Sequence, residues 1–366
     1  MKIETTYPVK RRKSRAVKIG NLLIGGGFPI AIQSMTTSDT RDVDATVGQA
    51  TQLFDAGCEL VRLSVINHDA ADCLASIRQA IPSNRPLVAD IHFQYKLAIK
   101  AIAAGFDKIR INPGNIGADW KVREVTKAAA DRGVPIRIGV NSGSLPADVL
   151  DKYGSDDPQG FVEAALREIA ILEEMNFHDI VISVKSTNTV TAFWAYHLLA
   201  QKCDYPLHIG ITESGTLQTG TVKSAVGIGT ILMSGIGDTI RVSLSADPIH
   251  EVRVAKQILA SCNLKDDGVQ VIACPTCGRC QIDMIPLAES IEEKTRALKS
   301  PLKVAVMGCA VNGPGEAAAA DIGIAGGDGQ GMLIKKGEVV ARFPESELES
   351  RLLDEIESIT GEKTER

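Results

Sequence analysis

Three cysteines lie close together in the segment Cys274-Pro-Thr-Cys277-Gly-Arg-Cys280, and Cys309 follows a separate apolar run. A Cys-x2-Cys pair with one distant cysteine is typical of either a tetrahedral zinc site or an iron–sulfur cluster. Both groups of thiols follow segments that we predict to be strands, so one small domain could bring them together. Cys280 could complete either kind of site. The spacing therefore predicts a metal centre and leaves the choice between zinc and iron–sulfur open.

The other four cysteines are scattered singly through segments of helical character: Cys58, Cys73, Cys203 and Cys262. This distribution does not suit a disulfide framework. The first residues, Met1–Thr6, lack the charged-then-apolar layout of a secretion signal. We therefore expect a cytoplasmic protein whose clustered thiols serve metal or redox chemistry.

Five cations are embedded in apolar, strand-like runs. Arginine is flanked by apolar residues in four of them, and lysine ends the fifth: Arg62, Arg110, Arg137, Arg241 and Lys185. A guanidinium inside a protein keeps its charge and needs an anionic partner. Asp90 and Glu213 are the carboxylates available on neighbouring runs, and two carboxylates cannot neutralise five cations. The surplus predicts an anionic ligand such as a diphosphate.

Further polar residues lie at or just past the ends of the same runs: Asp90, Asn141, Thr212, Glu213 and Ser243. They are candidates for hydrogen bonds to ligand hydroxyls or for proton transfer. The turns at 112–115 and 141–144 could direct backbone N–H groups towards an anion. The six histidines show no metal-binding spacing, and we expect them to be incidental, except that His92 could line the same site.

The elements that must position these residues are eight short apolar runs between residues 30 and 245. They begin near Ala31, Leu60, Leu87, Lys108, Pro135, Ile180, Leu207 and Thr239. Segments of helical period separate them, as at Phe161–Leu172. Eight strand–helix units favour a (β/α)8 barrel of the TIM type over an open doubly wound sheet, which would normally stop at five or six strands. In such a barrel the embedded cations would meet at the carboxyl ends of the strands.

Smaller parts flank the predicted barrel. Residues 1–29 form an N-terminal arm and hairpin, and we expect the basic stretch Lys10–Lys13 to be solvated. Pro248 begins a helix that runs to about Cys262, and Asp266–Gly268 is a predicted turn and boundary. The remainder alternates short strands with two helices, which indicates a small α+β domain. The predicted division is 1–262 for the barrel domain and 263–366 for the cysteine-containing domain.

Composition limits the partners. The chain has 366 residues, of which 44% are hydrophobic and 23% charged, and its net charge is −5. These are ordinary values for a globular protein with a core. The slight acidity disfavours a general nucleic-acid or membrane-surface binder. No run approaches the ~20 apolar residues that a membrane-spanning helix requires.

The cysteine segment and the later segment Met307-Gly-Cys309-Ala-Val-Asn312-Gly-Pro-Gly-Glu316 together resemble the cluster motif of the 4-hydroxy-3-methylbut-2-enyl diphosphate synthases. This family acts reductively, late in the methylerythritol phosphate route to isoprenoids. The segments Ile32-Gln-Ser-Met-Thr-Thr, Ile109-Arg-Ile-Asn-Pro-Gly-Asn and Ile138-Gly-Val-Asn-Ser-Gly-Ser are similar to it as well. The resemblance thus extends over nearly the whole chain.

The resemblance implies a 4Fe-4S cluster in a ferredoxin- or sulfite-reductase-like domain. Its ligands would be Cys274, Cys277, Cys309 and the carboxylate of Glu316, which leaves Cys280 unligated. A hard oxygen ligand binds less firmly than a thiolate, so one iron could exchange it for a substrate oxygen. The implied substrate is 2-C-methyl-D-erythritol 2,4-cyclodiphosphate, and reduced flavodoxin or ferredoxin would supply the electrons.

The resemblance also implies roles for the barrel residues. Arg62, Arg110, Arg137, Lys185, Asn141, Arg241 and Ser243 would hold the diphosphate. Asp90, Thr212 and Glu213 would contact the carbon chain, with Glu213 transferring a proton and Asn312 lying next to the cluster. The short form of the family, which lacks the additional domain of plant-like members, suggests a head-to-tail homodimer. In that dimer the cluster domain of one chain caps the barrel of the other.

Two alternatives remain at this point. One keeps the barrel but makes the cysteine domain a structural zinc module, which leaves a redox-inactive enzyme acting on a phosphorylated or pteridine-like ligand. The other is a non-enzymatic iron–sulfur sensor whose barrel binds a metabolite without converting it. Metal content separates the first alternative from the reductase, and turnover with a reductant separates the second.

Overall fold

A short N-terminal hairpin precedes the main sheet in the computed structural model, which describes residues 9–265, 268–327 and 329–365, with only the backbone at 113–114. Strands β1 (Val17–Ile19) and β2 (Leu22–Ile24) pair antiparallel. In the basic stretch before them, Lys10 and Lys13 are exposed as expected, whereas Arg11 and Arg12 are half-buried. Arg11 donates hydrogen bonds to the carbonyls of Phe28 and Gly237, and Arg12 donates to those of Cys203 and Tyr205. The two guanidinium groups thereby join the arm to loops at the amino ends of the barrel strands.

Eight parallel strands form the barrel, and each coincides in the sequence with the hydrophobic run that predicted it. They are β3 (Ala31–Met35), β4 (Leu60–Val65), β5 (Leu87–Ile91), β6 (Lys108–Ile111), β7 (Ile136–Asn141), β8 (Ile180–Lys185), β9 (His208–Ile209) and β10 (Thr239–Ile240). Their order in the sheet is β8-β7-β6-β5-β4-β3-β10-β9, and a parallel bridge between Ile182 and Leu207 joins the two ends. The predicted TIM-type barrel is confirmed. The last two strands are shorter than the runs that predicted them, so Arg241 lies just beyond β10.

Helices follow the strands and cover the outside of the barrel. They are α1 (Val43–Asp55), α2 (His68–Ala80), α3 (Tyr95–Ala103), α4 (Pro113–Ile116), α5 (Asp119–Arg132), α6 (Ala147–Tyr153), α7 (Pro158–Glu174), α8 (Thr189–Ala200), α9 (Leu217–Met233) and α10 (Pro248–Ser261). Asp or Asn side chains cap the N-termini of five of them, at Asp42, Asn67, Asp157, Asn188 and Asp247. Proline occupies the first turn of α7 and α10, where its missing N–H costs nothing.

A five-stranded mixed sheet forms the second unit. Strands β11 (Val269–Ala273), β12 (Leu302–Met307) and β13 (Ile322–Gly327) are parallel, and β14 (Gln330–Lys335) and β15 (Glu338–Pro344) continue the sheet antiparallel. Helices α11 (Met284–Thr295), α12 (Gly313–Glu316) and α13 (Leu348–Thr360) accompany it. The apolar faces of α11 and α13 pack on the sheet around Ile291, Val304, Ile324 and Leu352. This is the α+β arrangement that the sequence predicts.

The described residues group into two compact units, within Met1–Lys265 and within Asp266–Arg366. The predicted boundary turn at Asp266–Gly268 lies mostly outside the described residues, since 266 and 267 are not among them. Each unit has its own hydrophobic core. Within the part of the chain that the structure describes, no helix is both long enough and apolar enough to span a bilayer.

Candidate active site

The barrel holds five buried or half-buried cations, and not all of them lie at the carboxyl ends of the strands as expected, because Arg62 is in the middle of β4 and Arg137 is the second residue of β7. Arg62 lies on β4, Arg110 on β6, Arg137 on β7, Lys185 at the end of β8, and Arg241 just after β10. Residues on parallel barrel strands face the interior at alternate positions, which brings side chains of different strands together. The field of the other four cations acts on Lys185, as expected for one cluster. The structure therefore brings the sequence-predicted cations into one place.

Asp90 is the central carboxylate of this group. It is only 2% exposed. Its Oδ1 lies 3.0 Å from Arg110 Nη1, and its Oδ2 lies 3.6 Å from Arg62 Nε and 3.3 Å from His92 Nε2. Burial alone would raise the pKa of Asp90, but the two guanidinium groups outweigh burial and hold the pKa well below its usual value. Asp90 is thus ionised and pairs with two of the five cations.

The second carboxylate of the group is Glu251 on α10, which the sequence analysis missed. Its carboxylate accepts hydrogen bonds from Arg241 Nε at 3.3 Å and Nη2 at 3.2 Å, from Ser34 Oγ at 2.9 Å and from the backbone N–H of Leu244 at 3.0 Å. Glu213, the other carboxylate that the sequence made available, does not pair with these cations. Glu213 is exposed, lies in the loop after β9 with a φ of 50°, and forms no ion pair within the described ranges.

Arg137 has no carboxylate partner among the residues that the structure describes. It is 1% exposed, and its Nε and Nη1 atoms are buried without any hydrogen-bond acceptor. Burial and the neighbouring Arg62 and Arg110 hold the pKa of Arg137 well below its usual value. Buried donors are nearly always paired in folded proteins. A buried guanidinium with two unused donors therefore indicates an anionic ligand that binds inside the barrel.

Two further buried groups lie among these cations and were not predicted to be functional. Lys108 is fully buried, and its Nζ donates to Gln33 Oε1 at 3.2 Å. Gln33 Nε2 has no partner among the described atoms. His208, which we expected to be incidental, is fully buried with its Nε2 3.2 Å from Lys185 Nζ. One signal was available, because Lys108 precedes Arg110 by two residues and so shares its face of the strand.

Two glycines make room for the cations. A Cβ at position 139 would lie 2.6 Å from Arg110 Nε, and one at position 210 would lie 2.8 Å from Lys185 Nζ and 2.5 Å from the carbonyl oxygen of Arg241. Contacts under 3.0 Å are essentially absent for real Cβ atoms. Gly139 and Gly210 are therefore needed so that neighbouring strands can present their charged groups side by side.

The remaining predicted barrel residues lie at or beyond the carboxyl ends of their strands. Asn141 is the last residue of β7 and is in register with Lys185 on β8. Thr212 follows β9, and its backbone N–H donates to the carbonyl of Ser186 at 3.3 Å. Ser243 follows β10 and is half-buried. All three residues are close in sequence to the cations. The contacts described here do not identify a ligand for them.

The cysteine site lies at one edge of the small sheet. Cys274 directly follows β11, and Cys309 follows β12, so the two neighbouring parallel strands carry both loops to the same edge. A cavity of about 130 Å³ is lined by Cys274, Cys277, Cys309, Asn312 and Glu316, together with Arg279 and Cys280. All four ligands implied by the resemblance thus line one cavity.

The sulfur atoms of this cavity accept backbone hydrogen bonds. The N–H of Gly308 donates to Cys274 Sγ at 3.3 Å. The backbone N–H and side chain of Arg279 lower the pKa of Cys277, and backbone N–H groups at Asn312 and Val311 lower the pKa of Cys309. Donors directed at sulfur favour the thiolate, which is the form that binds metals.

The side chains that line the cavity include the donors that an iron–sulfur cluster would need. Among the residues that the structure describes, no three His, Cys, Asp or Glu side chains converge on one ion. A zinc ion needs all its ligands within about 2.0–2.3 Å of one point. A 4Fe-4S cluster instead spreads its ligands over separate irons. The donor set of three thiols and one carboxylate around a shared cavity suits that larger group.

Cys280 has a different environment from the other three clustered cysteines. Its Sγ donates to the carbonyl of Ile282 at 3.4 Å. It also packs against Gly308, where an added Cβ would lie 2.4 Å from Cys280 Sγ and 3.4 Å from Cys274 Sγ. That Cys280 remains unligated stays a prediction.

Comparisons with known proteins agree with this architecture. The chain is 55% identical over 97% of its length to a protein of Caldanaerobacter subterraneus subsp. tengcongensis named 4-hydroxy-3-methylbut-2-en-1-yl diphosphate synthase (flavodoxin), all of which is covered. It is also 55% identical over 97% of its length to a protein of the same name from Bacillus cytotoxicus, of which 96% is covered. Among solved structures, the dihydropteroate synthase of Stenotrophomonas maltophilia covers 68% of this chain and 99% of its own, with 14% identity and a TM-score of 0.50. That likeness concerns the barrel fold alone.

Family models match both units. Residues 14–256 match the GcpE TIM-barrel domain, and residues 270–358 match the GcpE protein C-terminal domain. With a cation-lined barrel, a cysteine-lined cavity and relatives of this identity, the chain belongs to the GcpE family, whose curated members here are 4-hydroxy-3-methylbut-2-en-1-yl diphosphate synthases.

Proposed function

We propose that this chain converts 2-C-methyl-D-erythritol 2,4-cyclodiphosphate to (E)-4-hydroxy-3-methylbut-2-enyl diphosphate in the methylerythritol phosphate pathway of isoprenoid biosynthesis. The ring opens, two electrons and two protons are consumed, and one water is released. The observation that carries this proposal is the buried guanidinium of Arg137, which has two donors without acceptors in a group of five cations. The names of the relatives support the product.

In this proposal the barrel binds the diphosphate group of the substrate. Asp90 and Glu251 pair with Arg62, Arg110 and Arg241, so the basic side chains outnumber the carboxylates even before the buried Lys108 is counted. A diphosphate group brings compensating charge and acceptor oxygens to the unused donors. The residues assigned to diphosphate binding are Arg62, Arg110, Arg137, Lys185, Asn141, Arg241 and Ser243.

Asp90, Thr212 and Glu213 are assigned to the carbon chain. Because its low pKa keeps Asp90 ionised, it can accept a hydrogen bond from a substrate hydroxyl but is a poor proton donor. Glu213 forms none of these ion pairs and is exposed in the loop after β9, so its carboxyl remains available to move a proton. We assign proton transfer to Glu213 because it is exposed and outside these ion pairs, whereas Asp90 is buried and ionised.

Cys274, Cys277, Cys309 and Glu316 would hold the 4Fe-4S cluster, and the cavity that they share supports this assignment. Bound there, the cluster supplies electrons one at a time. The carboxylate of Glu316 is the weakest of the four ligands for iron, so it is the one best suited to yield its position. Asn312 lines the same cavity and is assigned a place beside the cluster.

We assign electron delivery to reduced flavodoxin, with ferredoxin as the alternative. The relatives are named flavodoxin-dependent, which supports the first choice. Free thiols at all eight cysteines suit a reducing compartment, and we place the reaction in the cytoplasm.

We further propose a head-to-tail homodimer in which the cluster domain, residues 263–366, caps the barrel, residues 1–262, of the partner chain. The outer faces of two adjacent helices support an interface between copies. Val190 on α8 and Val222 on α9 are each 63% exposed, and Val226 and Met233 extend the apolar stripe along α9. Exposed apolar stripes of this kind mark association surfaces.

The experiment is turnover of the cyclic diphosphate by anaerobically purified protein with reduced flavodoxin, combined with iron, sulfide and zinc analysis. About four irons and four sulfides per chain, with product formed only when reductant is present, support the proposal. One zinc without sulfide after attempted cluster reconstitution refutes it. A full cluster without turnover leaves the sensor alternative instead.

A further inference from the structure

A series of buried, hydrogen-bonded polar groups lies beside the cations, and the functions assigned above do not explain it. His208 on β9 is fully buried. Its Nε2 lies 3.2 Å from Lys185 Nζ, and its Nδ1 lies 2.7 Å from Thr239 Oγ1. Its backbone carbonyl accepts a hydrogen bond from Tyr196 OH at 2.7 Å. Both ring nitrogens and the backbone of His208 are therefore held by neighbours.

When Lys185 is protonated, these contacts favour one tautomer of the ring. An ammonium group only donates hydrogen bonds, so a protonated Lys185 requires a bare Nε2 as acceptor. Burial and then the charge of Lys185 hold the pKa of His208 well below its usual value, so the ring is neutral. The single ring proton then resides on Nδ1 and is donated to Thr239 Oγ1.

The surroundings of Lys185 show why it needs such a partner. No carboxylate lies within ion-pair distance of its Nζ in the described ranges. Burial, and then the charges of the surrounding Arg137, Arg241, Arg62 and Arg110, lower the pKa of Lys185, so its ammonium form depends on an acceptor and an anion beside it. The His208 ring is a neutral acceptor that directs the ammonium, and the absent Cβ of Gly210 leaves the space that the ammonium occupies.

We propose that His208 is a positioning residue, which holds the Lys185 ammonium against the repulsion of the surrounding guanidinium groups so that its remaining donors are directed at the diphosphate. This inference rests on the proposed function, because it takes the barrel as the diphosphate site. Thr239 holds the ring in place through its contact with Nδ1 and is the next residue in this series of hydrogen bonds.

The test measures binding of inorganic pyrophosphate by calorimetry to the full-length, cluster-containing protein. His208→Leu removes the acceptor and should weaken binding about tenfold, the loss expected for one hydrogen bond to a charged group. His208→Gln places an amide oxygen near the former Nε2 position and should bind within about threefold of wild type. His178→Leu, at the opposite end of the barrel near the start of β8, is the matched control and should bind like wild type.

A double-mutant cycle separates positioning from a general structural role. In a Lys185→Met background, His208→Leu should cause no further loss, because the group through which it acts is gone. An equal tenfold loss in both backgrounds, or a His208→Gln variant as weak as His208→Leu, overturns the proposal.

A ligand-free measurement keeps the proposal testable even if the leucine variant does not fold. Nitrogen-15 spectra of histidine-labelled wild type should show His208 with a protonated Nδ1 and a bare Nε2, and a protonated Nε2 overturns the proposal. Wild type that does not bind pyrophosphate refutes the diphosphate site itself and the role of His208 in it. Wild-type binding that depends on Lys185 but not on His208 refutes the positioning role alone.

Discussion

Replacing Arg137 by methionine should stabilise the free protein while it weakens ligand binding. The two buried donors of Arg137 have no acceptor, and each unpaired buried donor costs about 1–3 kcal/mol. Methionine has a similar length, needs no partner and removes the repulsion from Arg62 and Arg110. Apolar replacements of buried ionic groups stabilise proteins by about 1–4 kcal/mol. We therefore expect the free energy of unfolding to rise by about 2 kcal/mol, or the midpoint by about 5 °C.

The same substitution should remove most of the stabilisation by pyrophosphate. Loss of about two charge-assisted hydrogen bonds weakens binding by about 3 kcal/mol, which is about 100-fold. At about 100 times the wild-type Kd, pyrophosphate stabilises wild type by about 2.7 kcal/mol and the variant by about 0.4 kcal/mol. The variant should thus unfold at a higher temperature than wild type without ligand and respond far less to it.

Tryptophan fluorescence is a suitable readout, because both tryptophans, Trp120 and Trp194, lie in the barrel unit. Arg78→Met is the matched control. Arg78 is paired with Asp107 and with three backbone carbonyls, so its loss should destabilise the barrel and leave the pyrophosphate response unchanged. An Arg137→Met variant that unfolds below wild type, yet gains as much from pyrophosphate, would refute the reasoning.

Three further predictions follow from the same geometry. Gly210→Ala should lower pyrophosphate affinity at least tenfold in calorimetry, because the new Cβ would displace the Lys185 ammonium, whereas Gly133→Ala at the end of α5 should not. Burial and the charge of Arg137 lower the pKa of Lys108 in the folded state. Between this lowered pKa and the unfolded-state pKa of about 10.4, the unfolded protein therefore binds more protons than the folded protein. The free energy of unfolding should rise with pH in that window. Lys108→Met should flatten that rise in pH-dependent denaturation and raise stability at neutral pH, and an unchanged profile would contradict the argument. Coexpression of Arg137→Met with Cys309→Ala chains should restore about one quarter of wild-type turnover if barrel and cluster come from different chains, and none if they come from the same chain.

Much of the barrel could be predicted from the sequence because each strand is a short apolar run bounded by helical segments. The final strands were predicted too long, since β10 forms only two paired positions with each neighbour and β9 forms two with β10, next to a single bridge from Leu207 to β8. Beyond Ile240 the chain leaves the sheet, and Arg241 turns to Glu251 on α10. Hydrophobic patterning shows which residues are buried but does not show where hydrogen-bonded pairing stops.

The carboxylate partner of Arg241 could not be predicted by the same reasoning. Glu251 lies in the first turn of α10, where an acidic residue is ordinary in an exposed helix. Its burial depends on how α10 packs beside β3, which no local pattern encodes. His208 was missed for a related reason, because a single histidine in a strand carries no signal until a neighbouring strand places Lys185 against it.

The cysteine site could be predicted as a metal centre from spacing, but spacing alone left zinc open. The carboxylate of Glu316 lies 42 residues after Cys274 in the sequence and lines the same cavity in the structure. No spacing rule for thiols includes such a ligand. The family motif, and not the physics of the local segment, supplied it.

The surplus of positive charge inside the barrel has a consequence for catalytic turnover. The proposed substrate is a cyclic diphosphate with both phosphates esterified, whereas ring opening leaves the product with a free terminal phosphate and a further ionisable oxygen. The cations Arg62, Arg110, Arg137 and Lys185 should therefore bind the product at least as tightly as the substrate. Selectivity for the substrate must then come from the shape of the carbon skeleton, and accumulated product should occupy the site. The enzyme would in that case regulate its own flux through product inhibition.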